Sequence, residues 1–570
     1  MKRIWAFFVL GVIAAIAPPA EGKKPTPADR QASDSTEGQT SFAAAEAVDS
    51  LLAGELFQPS SGNVDSGNVD SGNVELAPKT GDEIFLRRVS LDLAGRLPSA
   101  TEVTAFALDQ SPNKRAAVVE RLLERPAFGR NWARYWRDVI FYRRAEDRAL
   151  LAAGPAEEFL TDQFNGNVPW NEIAAQFITA RGDIREHGET AVIAAQMGDA
   201  NDVTAEMSRI FLGVQIQCAQ CHDHPTDRWK RAQFHELAAF FPRIALQRVR
   251  DGAKRSFEVV SRDVQRGKPG KGGGAARRGS LEHYMPDLKD PASKGAVMTP
   301  VFFLTGERLP LGESDQQRRQ TVAGWMTAKS NPWFAKAFVN RIWAELVGEG
   351  FYEPMDDLGP DRTCSAPKTI DYLAEEFTRH DYDIKWLFRT ITATDAYQRE
   401  SRPRRNPDQI PFTANCSQRL RSDQIYDMLT DAIGGPAGGP EKNKQAQKQQ
   451  ARRPAGPRLA FAAVFGYDPS DRRDEISGTI PQALALMNSP LVNRAISGRR
   501  PQTDLGKLLA SVGDDDEVTV ELYLRCLGRE PNDQELTVVH DYLRSTGDRA
   551  IAFEDVFWAL INSTEFLYRR

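Results

Sequence analysis

Cysteine and histidine are scarce in this chain, with five and seven residues respectively among 570. An odd number of scattered cysteines excludes a disulfide-stapled scaffold, because such scaffolds pair their cysteines at regular spacings within small domains. Charge of one sign is also lacking, since the formal net charge is only -5. A chain of this size and charge is not built to hold nucleic acid by general electrostatics, so we expect no nucleic-acid partner.

Long apolar runs are absent after the first twenty or so residues, so we expect no membrane span in the mature chain. The apolar run from Ile4 to Ala17 follows Lys2 and Arg3, an arrangement typical of a secretion signal. We therefore predict a signal peptide over residues 1–22 and export to the periplasm or the extracellular space. An uncleaved signal is the alternative, and it would tether the protein to a membrane.

Signatures of several well-known enzyme classes are missing as well. The sequence has no Ser-His-Asp triad signature and no Gly-rich dinucleotide turn. The Gly-rich stretch at 267–274 lacks the Lys-Ser/Thr ending of a phosphate-binding loop, so we interpret it as part of a basic, solvated insert. Asp356 and Asp357 form an adjacent carboxylate pair, but acids in a loop are usually solvated, and we expect no catalytic role for them.

Helical spacing of apolar residues dominates the remaining sequence, with capping signals where segments begin. We predict a mainly α, multi-domain helical protein with irregular loops and a disordered N-terminal linker. The predicted divisions after the signal are a low-complexity linker (23–80), a helical domain with a Cys-x-x-Cys-His motif (81–245), a basic Gly-rich insert (246–298) and a C-terminal helical domain (299–570) with a flexible linker near 434–457.

The N-terminal linker is predicted from its composition. Residues 61–74 repeat Ser-Gly-Asn-Val three times, and such polar repeats bury too little apolar surface to offset chain entropy. One short amphipathic helix is compatible with the stretch from Ala43 to Leu56.

Two distant segments, 93–102 and 526–535, place Gly, Arg, Pro and Glu at matching offsets. In each segment the Gly predicts a left-handed helix end, and Ser99 or Asn532 predicts a cap for the next helix. Related helix-turn-helix modules and convergence on the same turn chemistry both account for the similarity. In either case its role is structural.

Metal-ligand side chains are concentrated in one segment, Cys218-Ala-Gln-Cys221-His222-Asp-His224-Pro225. Cys-x-x-Cys-His is the attachment signature of c-type haem. Two thiols at this spacing can reach the two vinyl groups of one porphyrin, and the next imidazole can bind the iron. The sequence therefore predicts haem c on Cys218, Cys221 and His222, outside the cytoplasm. Candidates for the sixth iron ligand are Met197, Met207, Met298 and His235.

The same density of ligands supports a second hypothesis, a non-haem zinc or iron site. Its donors would come from His222 and His224 together with Cys218, Cys221, Asp227 and His235. A metal-bound water could then attack extracellular polymers, with Asp223 or Asp227 as the general base. The third hypothesis is a helical scaffold or binding module with no cofactor, in which the two cysteines are buried or form a disulfide.

The strings around the motif, at 211–225 and 234–241, and the earlier string at 85–98 closely resemble the planctomycete-specific cytochrome-type domain family of unknown function. The second half resembles the planctomycete-specific domain that usually follows it. The matching strings there are 331–343, 397–398, 482–490 and 558–566. The resemblance covers nearly all of the chain after residue 80. It implies that the signature residues are Cys218, Cys221, His222, His224 and Pro225.

The resemblance implies membership more firmly than activity, because the biochemical activity of the family is not established. This chain also departs from the family in two places. Many relatives have a Cys where this chain has 468–474, and a His commonly stands where it has 365–368, but neither residue is present here. Any site that used those positions is in doubt here. We expect an exported c-type haem protein with an electron-transfer or redox role and a redox partner protein, and whether it is an enzyme stays open.

Overall fold

The computed structural model describes residues 27–57, 74–251, 254–263, 281–290, 292–404, 409–434, 457–472, 476, 478–488 and 490–570. The predicted signal peptide, the Gly-rich stretch at 267–274 and most of the predicted flexible linker near 434–457 lie outside these residues. Helices make up 59% of the described residues and strands are few among them, so the predicted mainly α class is confirmed. Within the described ranges, every helix is too short or too polar to cross a membrane.

The helices fall into three successive groups. The first group contains α1 (Pro27–Leu52), α2 (Asp82–Ala94), α3 (Ala100–Leu108), α4 (Lys114–Leu123), α5 (Pro126–Phe141), α6 (Ala153–Asn165), α7 (Trp170–Thr179), α8 (Ala191–Ala195), α9 (Ala200–Leu212) and α10 (Arg231–Ala238). The second contains α11 (Asp315–Met326), α12 (Pro332–Val347), α13 (Pro367–Arg379), α14 (Ile384–Ala393), α15 (Asp395–Gln398) and α16 (Ser422–Ala432). The third contains α17 (Pro457–Phe465), α18 (Ile480–Met487), α19 (Pro490–Ala495), α20 (Asp504–Ser511), α21 (Asp515–Leu527), α22 (Asp533–Thr546), α23 (Arg549–Ile561) and α24 (Thr564–Leu567).

Strands are short and peripheral. The longest pair, β2 (Ile244–Asp251) and β3 (Lys254–Ser261), forms an antiparallel hairpin, and β1 (Gly182–Asp183) extends it on the β3 side. Four two-residue pairs complete the set. They are β4 (Tyr284–Met285) with β5 (Ala296–Val297), β6 (Val301–Phe302) with β7 (Glu307–Arg308), β8 (Ser401–Arg402) with β9 (Asn415–Cys416), and β10 (Gln418–Arg419) with β11 (Tyr568–Arg569).

One hydrophobic core runs through the first and second groups of helices. At its centre the Trp170 ring lies 4.5 Å from both the Trp136 ring of α5 and the Phe338 ring of α12, measured between centroids. All three side chains are at most 1% exposed. A second core lies among α16 to α24 and takes in Leu91 from α2. Because the first and second groups of helices share the larger core, residues far apart in sequence pack around the same interior.

The N-terminal helix α1 packs onto the second group of helices. Ala44, Val48 and Leu52 follow one another at intervals of four residues, so they share one helix face, and all three are buried. The helix expected between Ala43 and Leu56 lies within α1 and the π-helical turn that follows it. The Glu55 carboxylate accepts from the backbone N–H groups of Lys368 (2.8 Å) and Thr369 (2.9 Å) at the start of α13.

The two turns of the internal repeat have the predicted geometry. Gly95 (φ 69°) ends α2 and Gly528 (φ 67°) ends α21, both in the left-handed region. Ser99 forms a capping box with its Glu at the third helical position of α3, and Asn532 does the same for α22. Both predicted caps are therefore confirmed. The two turns also touch, since a side chain at Gly528 would come within 3.2 Å of the Pro98 ring.

Replacing either cap residue tests this local account. We expect Ser99→Ala and Asn532→Ala each to lower the free energy of unfolding by about 1 kcal/mol, because each leaves a helix N–H without its acceptor. Thr537→Ala, an exposed change inside α22, is the matched control and is expected to stay within about 0.5 kcal/mol. Urea denaturation measures all three. Equal effects from the cap and control variants would contradict the account.

Candidate functional site

The Cys-x-x-Cys-His motif begins on a short 3₁₀ turn just after α9 and continues into the loop that follows it. That helix ends at Gly213 in a left-handed conformation (φ 66°), and the 3₁₀ turn covers Ile216–Gln220. Side chains three apart share one face of a 3₁₀ turn. Ile216 and Ala219 are both buried, and they face the core. Cys218 and Cys221 are also three apart, and both are exposed free thiols.

The imidazole of His222 is held with one nitrogen available. Its Nδ1 lies 2.6 Å from the carbonyl oxygen of Asp223. A carbonyl oxygen only accepts, so Nδ1 carries the proton and Nε2 presents its lone pair. Metal-bound histidines commonly show this arrangement, with the second ring nitrogen donating to a backbone carbonyl. The exposed His222 is therefore already in the tautomer that an Nε2 ligand requires.

His224 has the opposite arrangement. Its Nδ1 accepts from the backbone N–H of Thr226 at 3.3 Å, so the proton of the neutral ring is on Nε2. Its own backbone N–H donates to the Trp229 carbonyl oxygen at 2.8 Å and closes the loop. In this arrangement His224 stabilises the loop through Nδ1, and its Nε2 carries a proton in place of a free lone pair.

His235 lies behind the motif and is 2% exposed. Its Nε2 lies 3.0 Å from the Gln220 carbonyl oxygen, and its Nδ1 lies 2.8 Å from Nε2 of His283. Both ring nitrogens are hydrogen-bonded, so His235 differs from the exposed thiols and from His222, which has Nε2 available. Sequence reasoning did not find His283, because nothing in the sequence around it resembles a ligand motif and its contact with α10 is purely tertiary.

The two acids proposed as general bases, Asp223 and Asp227, both lie close to basic side chains. The Asp223 carboxylate accepts from the Arg231 backbone N–H (3.0 Å) and from Lys230 Nζ (3.1 Å). The first of these bonds, helped by the second, lowers the pKa of Asp223, which makes it a weaker base. The Asp227 side chain is 1% exposed, and its Oδ2 lies 3.8 Å from Nε of Arg362.

The segment 356–362 from the second half of the chain holds the motif loop from the other side. The Leu358 backbone N–H donates to the Gly213 carbonyl oxygen (2.6 Å). Arg228 Nη2 donates to Asp361 Oδ1 (2.7 Å). A side chain at Gly359 would overlap the Asp227 carboxylate, so the close approach of these two loops requires glycine there. Residues on both sides of the insert thus build the site.

Asp356 anchors this segment, and the expectation that it is solvated is wrong. Its side chain is 1% exposed, and Oδ2 lies 2.8 Å from Arg209 Nη1 and 3.2 Å from Arg341 Nη2. Gln215 Nε2 donates to its Oδ1 at 3.0 Å. Arg209 is 147 positions away in sequence, so no local pattern could reveal the pair.

The remaining predicted ligands are dispersed. In the described ranges, no group of three or more His, Cys, Asp or Glu side chains is placed to hold a metal ion. Met207 is buried in the core, and the Met298 backbone N–H donates to the His283 carbonyl oxygen at 2.9 Å. Met197 is partly buried with a left-handed backbone (φ 51°). The structure thus exposes Cys218, Cys221 and His222 at neighbouring positions of one loop, without bringing them or the other candidates together as a metal cluster.

Comparison with protein families gives two matches. Residues 66–245 match a family described as a protein of unknown function (DUF1549, PSCyt2). Residues 318–543 match a second family described in the same way (DUF1553, PSD1). The succession of two domains of unknown function expected from the resemblance is therefore confirmed. No curated protein and no solved structure matches the chain. The motif lies in the first matched region, and 356–362 lies in the second.

Proposed function

We propose that this chain, in which two domains of unknown function follow one another, is an exported protein that carries haem c on Cys218, Cys221 and His222. Its role is electron transfer or redox sensing outside the cytoplasm, together with a redox partner protein. The apolar start of the sequence supports export.

The observation that carries this proposal is the donor set on one exposed turn. Cys218 and Cys221 are unpaired and accessible, and His222 keeps Nε2 free by donating its Nδ1 proton to the Asp223 carbonyl. These three donors fit c-type attachment, in which each thiol adds its sulfur and hydrogen across one vinyl group of the porphyrin. Nothing leaves in that addition, so it needs only a reduced thiol.

Haem supplies one-electron chemistry when it is bound. The protein's own residues supply attachment and orientation. Cys218 and Cys221 fix the porphyrin edge, and the Asp223 carbonyl keeps His222 in the ligand tautomer and raises its basicity. The buried Ile216 and Ala219 hold the turn against the core.

A variant series tests the attachment. The protein is exported in a host with haem-attachment machinery, and haem retained on the denatured chain is measured by its peroxidase stain. We expect retention by the wild type, and loss of nearly all of it in the double variant Cys218→Ser/Cys221→Ser, because the thioether bonds cannot form. Cys364→Ser, which changes a half-buried free cysteine elsewhere, is the matched control and should retain haem. Haem retained by the double variant would contradict the proposal.

A non-haem zinc or iron centre is the second candidate, and the polarity around the motif favours it. Lys230, Asp223 and the Arg228–Asp361 ion pair are exposed beside the thiols, and a hydrated metal ion suits such surroundings better than a porphyrin face does. Elemental analysis of colourless, purified protein decides this case. One zinc or iron per chain that is lost in Cys218→Ser/Cys221→Ser supports the metal centre, and metal-free protein removes it.

A further inference from the structure

Two buried imidazoles from different parts of the chain lie behind the motif. His235 comes from α10, and His283 precedes β4, inside the predicted insert (246–298) and after its Gly-rich stretch at 267–274. Their exposures are 2% and 9%. The rings lie edge to edge, with centroids 5.1 Å apart and an interplanar angle of 25°, and Nδ1 of His235 lies 2.8 Å from Nε2 of His283.

The positions of the protons in this pair follow from its contacts. The Gln220 carbonyl oxygen accepts, so His235 Nε2, at 3.0 Å, carries a proton and donates it. A neutral His235 then has only a lone pair at Nδ1, and His283 must donate its Nε2 proton to it. Burial lowers the pKa of both rings, that of His283 to about 4, so both are neutral at physiological pH. The chain of bonds therefore has one direction, from His283 through His235 to Gln220.

The acceptor of this chain is part of the motif itself. Gln220 lies between Cys218 and Cys221, and its carbonyl group belongs to the peptide bond that leads into Cys221. A fixed carbonyl at this point fixes the direction in which Cys221 leaves the 3₁₀ turn. The spacing and orientation of the two thiols thus depend on a bond from His235.

We propose that His235 and His283 are positioning residues for the Cys218-x-x-Cys221-His222 turn, with His283 acting through His235. The inference deepens the proposed function and rests on it, because haem attachment is the reason why the two thiols need a fixed position. It also connects the motif to the C-terminal part of the predicted insert, because His283 is anchored there by the bond between its carbonyl oxygen and the Met298 N–H at 2.9 Å.

Substitutions at His283 separate positioning from mere packing. His283→Phe keeps a ring of similar volume but removes the donor, which leaves His235 Nδ1 buried without a partner. His283→Gln restores an N–H donor near the position of Nε2. His540→Phe is the matched control, because His540 is partly exposed and pairs with Asp516 in α21, in the third group of helices.

The measurement is hydrogen–deuterium exchange of the 214–224 segment, together with alkylation rates of Cys218 and Cys221, in reduced full-length protein without haem. For His283→Phe we expect exchange about fivefold faster in this segment, the effect of losing one net hydrogen bond, and a changed ratio of the two alkylation rates. His283→Gln and His540→Phe should resemble the wild type. Equal behaviour of the Phe and Gln variants would overturn the proposal.

A second pair keeps the test decisive if His283→Phe does not fold. His235→Gln retains a donor for the Gln220 carbonyl, and His235→Leu does not, so only the Leu variant should lose protection of the turn. The exchange experiment and the haem experiment also test separate claims. A colourless wild type with the expected exchange pattern overturns the haem assignment and leaves the positioning intact. If the wild type carries haem but neither variant pair changes the exchange rates of the turn, the positioning role is overturned and the haem assignment stands.

Discussion

Replacing Asp356 with Ala is expected to lower the free energy of unfolding by about 3–5 kcal/mol, the usual cost of removing one partner from a buried ion pair. Asp356 is 1% exposed and lies between Arg209 and Arg341, which are 3% and 1% exposed. The substitution leaves both guanidinium groups buried without this carboxylate. It also removes the acceptor of the Gln215 amide, which lies three residues before Cys218.

Asp357→Ala is the matched control for this prediction. Asp357 is adjacent in sequence, but its side chain is 18% exposed and pairs with Arg362, which is 24% exposed. A partly solvated pair of this kind contributes about 1 kcal/mol or less. Urea denaturation followed by circular dichroism measures both variants. Similar losses for Asp356→Ala and Asp357→Ala would show that burial of the first carboxylate does not matter.

The stabilisation by Asp356 has a defined pH dependence. Burial alone would raise the pKa of Asp356, but the charges of Arg209 and Arg341 outweigh it and hold the pKa well below its usual value. A carboxylate with a lowered pKa in the folded state stabilises the fold above the pKa of the unfolded chain, which is about 3.9. We expect the difference between wild type and Asp356→Ala to be constant near neutral pH and to shrink as the pH falls below about 4.

Arg569→Ala is expected to have a loss of similar size, about 3–5 kcal/mol at neutral pH. Arg569 is 3% exposed, and its Nε lies 2.7 Å from the Asp92 carboxylate of α2. Its Nη1 also donates to Asn415 Oδ1 at 3.1 Å. The strand Tyr568–Arg569 pairs with Gln418–Arg419, so Arg569 links α2 to the strand that precedes α16.

The loss in Arg569→Ala should also become smaller as the pH falls, for a different reason. Burial raises the pKa of Asp92 even though Arg569 lies beside it. Without Arg569, Asp92 takes up a proton more readily, and protonation relieves the cost of a buried unpaired charge. The destabilisation is therefore expected to be smaller at pH 5 than at pH 8. Arg570→Ala is the control, because its exposed side chain should contribute no more than about 0.5 kcal/mol. A loss in Arg570→Ala equal to that in Arg569→Ala would contradict this account.

The sequence could predict the parts of this structure that depend on neighbouring residues. The left-handed turns at Gly95 and Gly528 and the caps at Ser99 and Asn532 involve residues within four positions of one another. Local chemistry decides such features, and they agree with expectation. The Cys-x-x-Cys-His turn itself was found for the same reason, since its donors are adjacent in sequence.

The contacts that hold the motif in place could not be predicted in this way. His283 reaches His235 across 48 positions, and Asp356 reaches Arg209 across 147. Such pairs depend on how distant segments of the chain pack against one another, and no period or spacing records that. The adjacent acids Asp356 and Asp357 illustrate this. Both are aspartates in the same loop, but the Asp356 side chain is buried and the Asp357 side chain is partly exposed.

The central claim is tested most directly by the visible absorption spectrum of the exported wild-type protein, recorded as purified and after reduction with dithionite. We expect a Soret band that remains with the protein after acid-acetone extraction and sharpens on reduction, because thioether bonds hold haem c to the chain. A colourless protein, obtained from a host that attaches haem to a control cytochrome in the same culture, would contradict the claim.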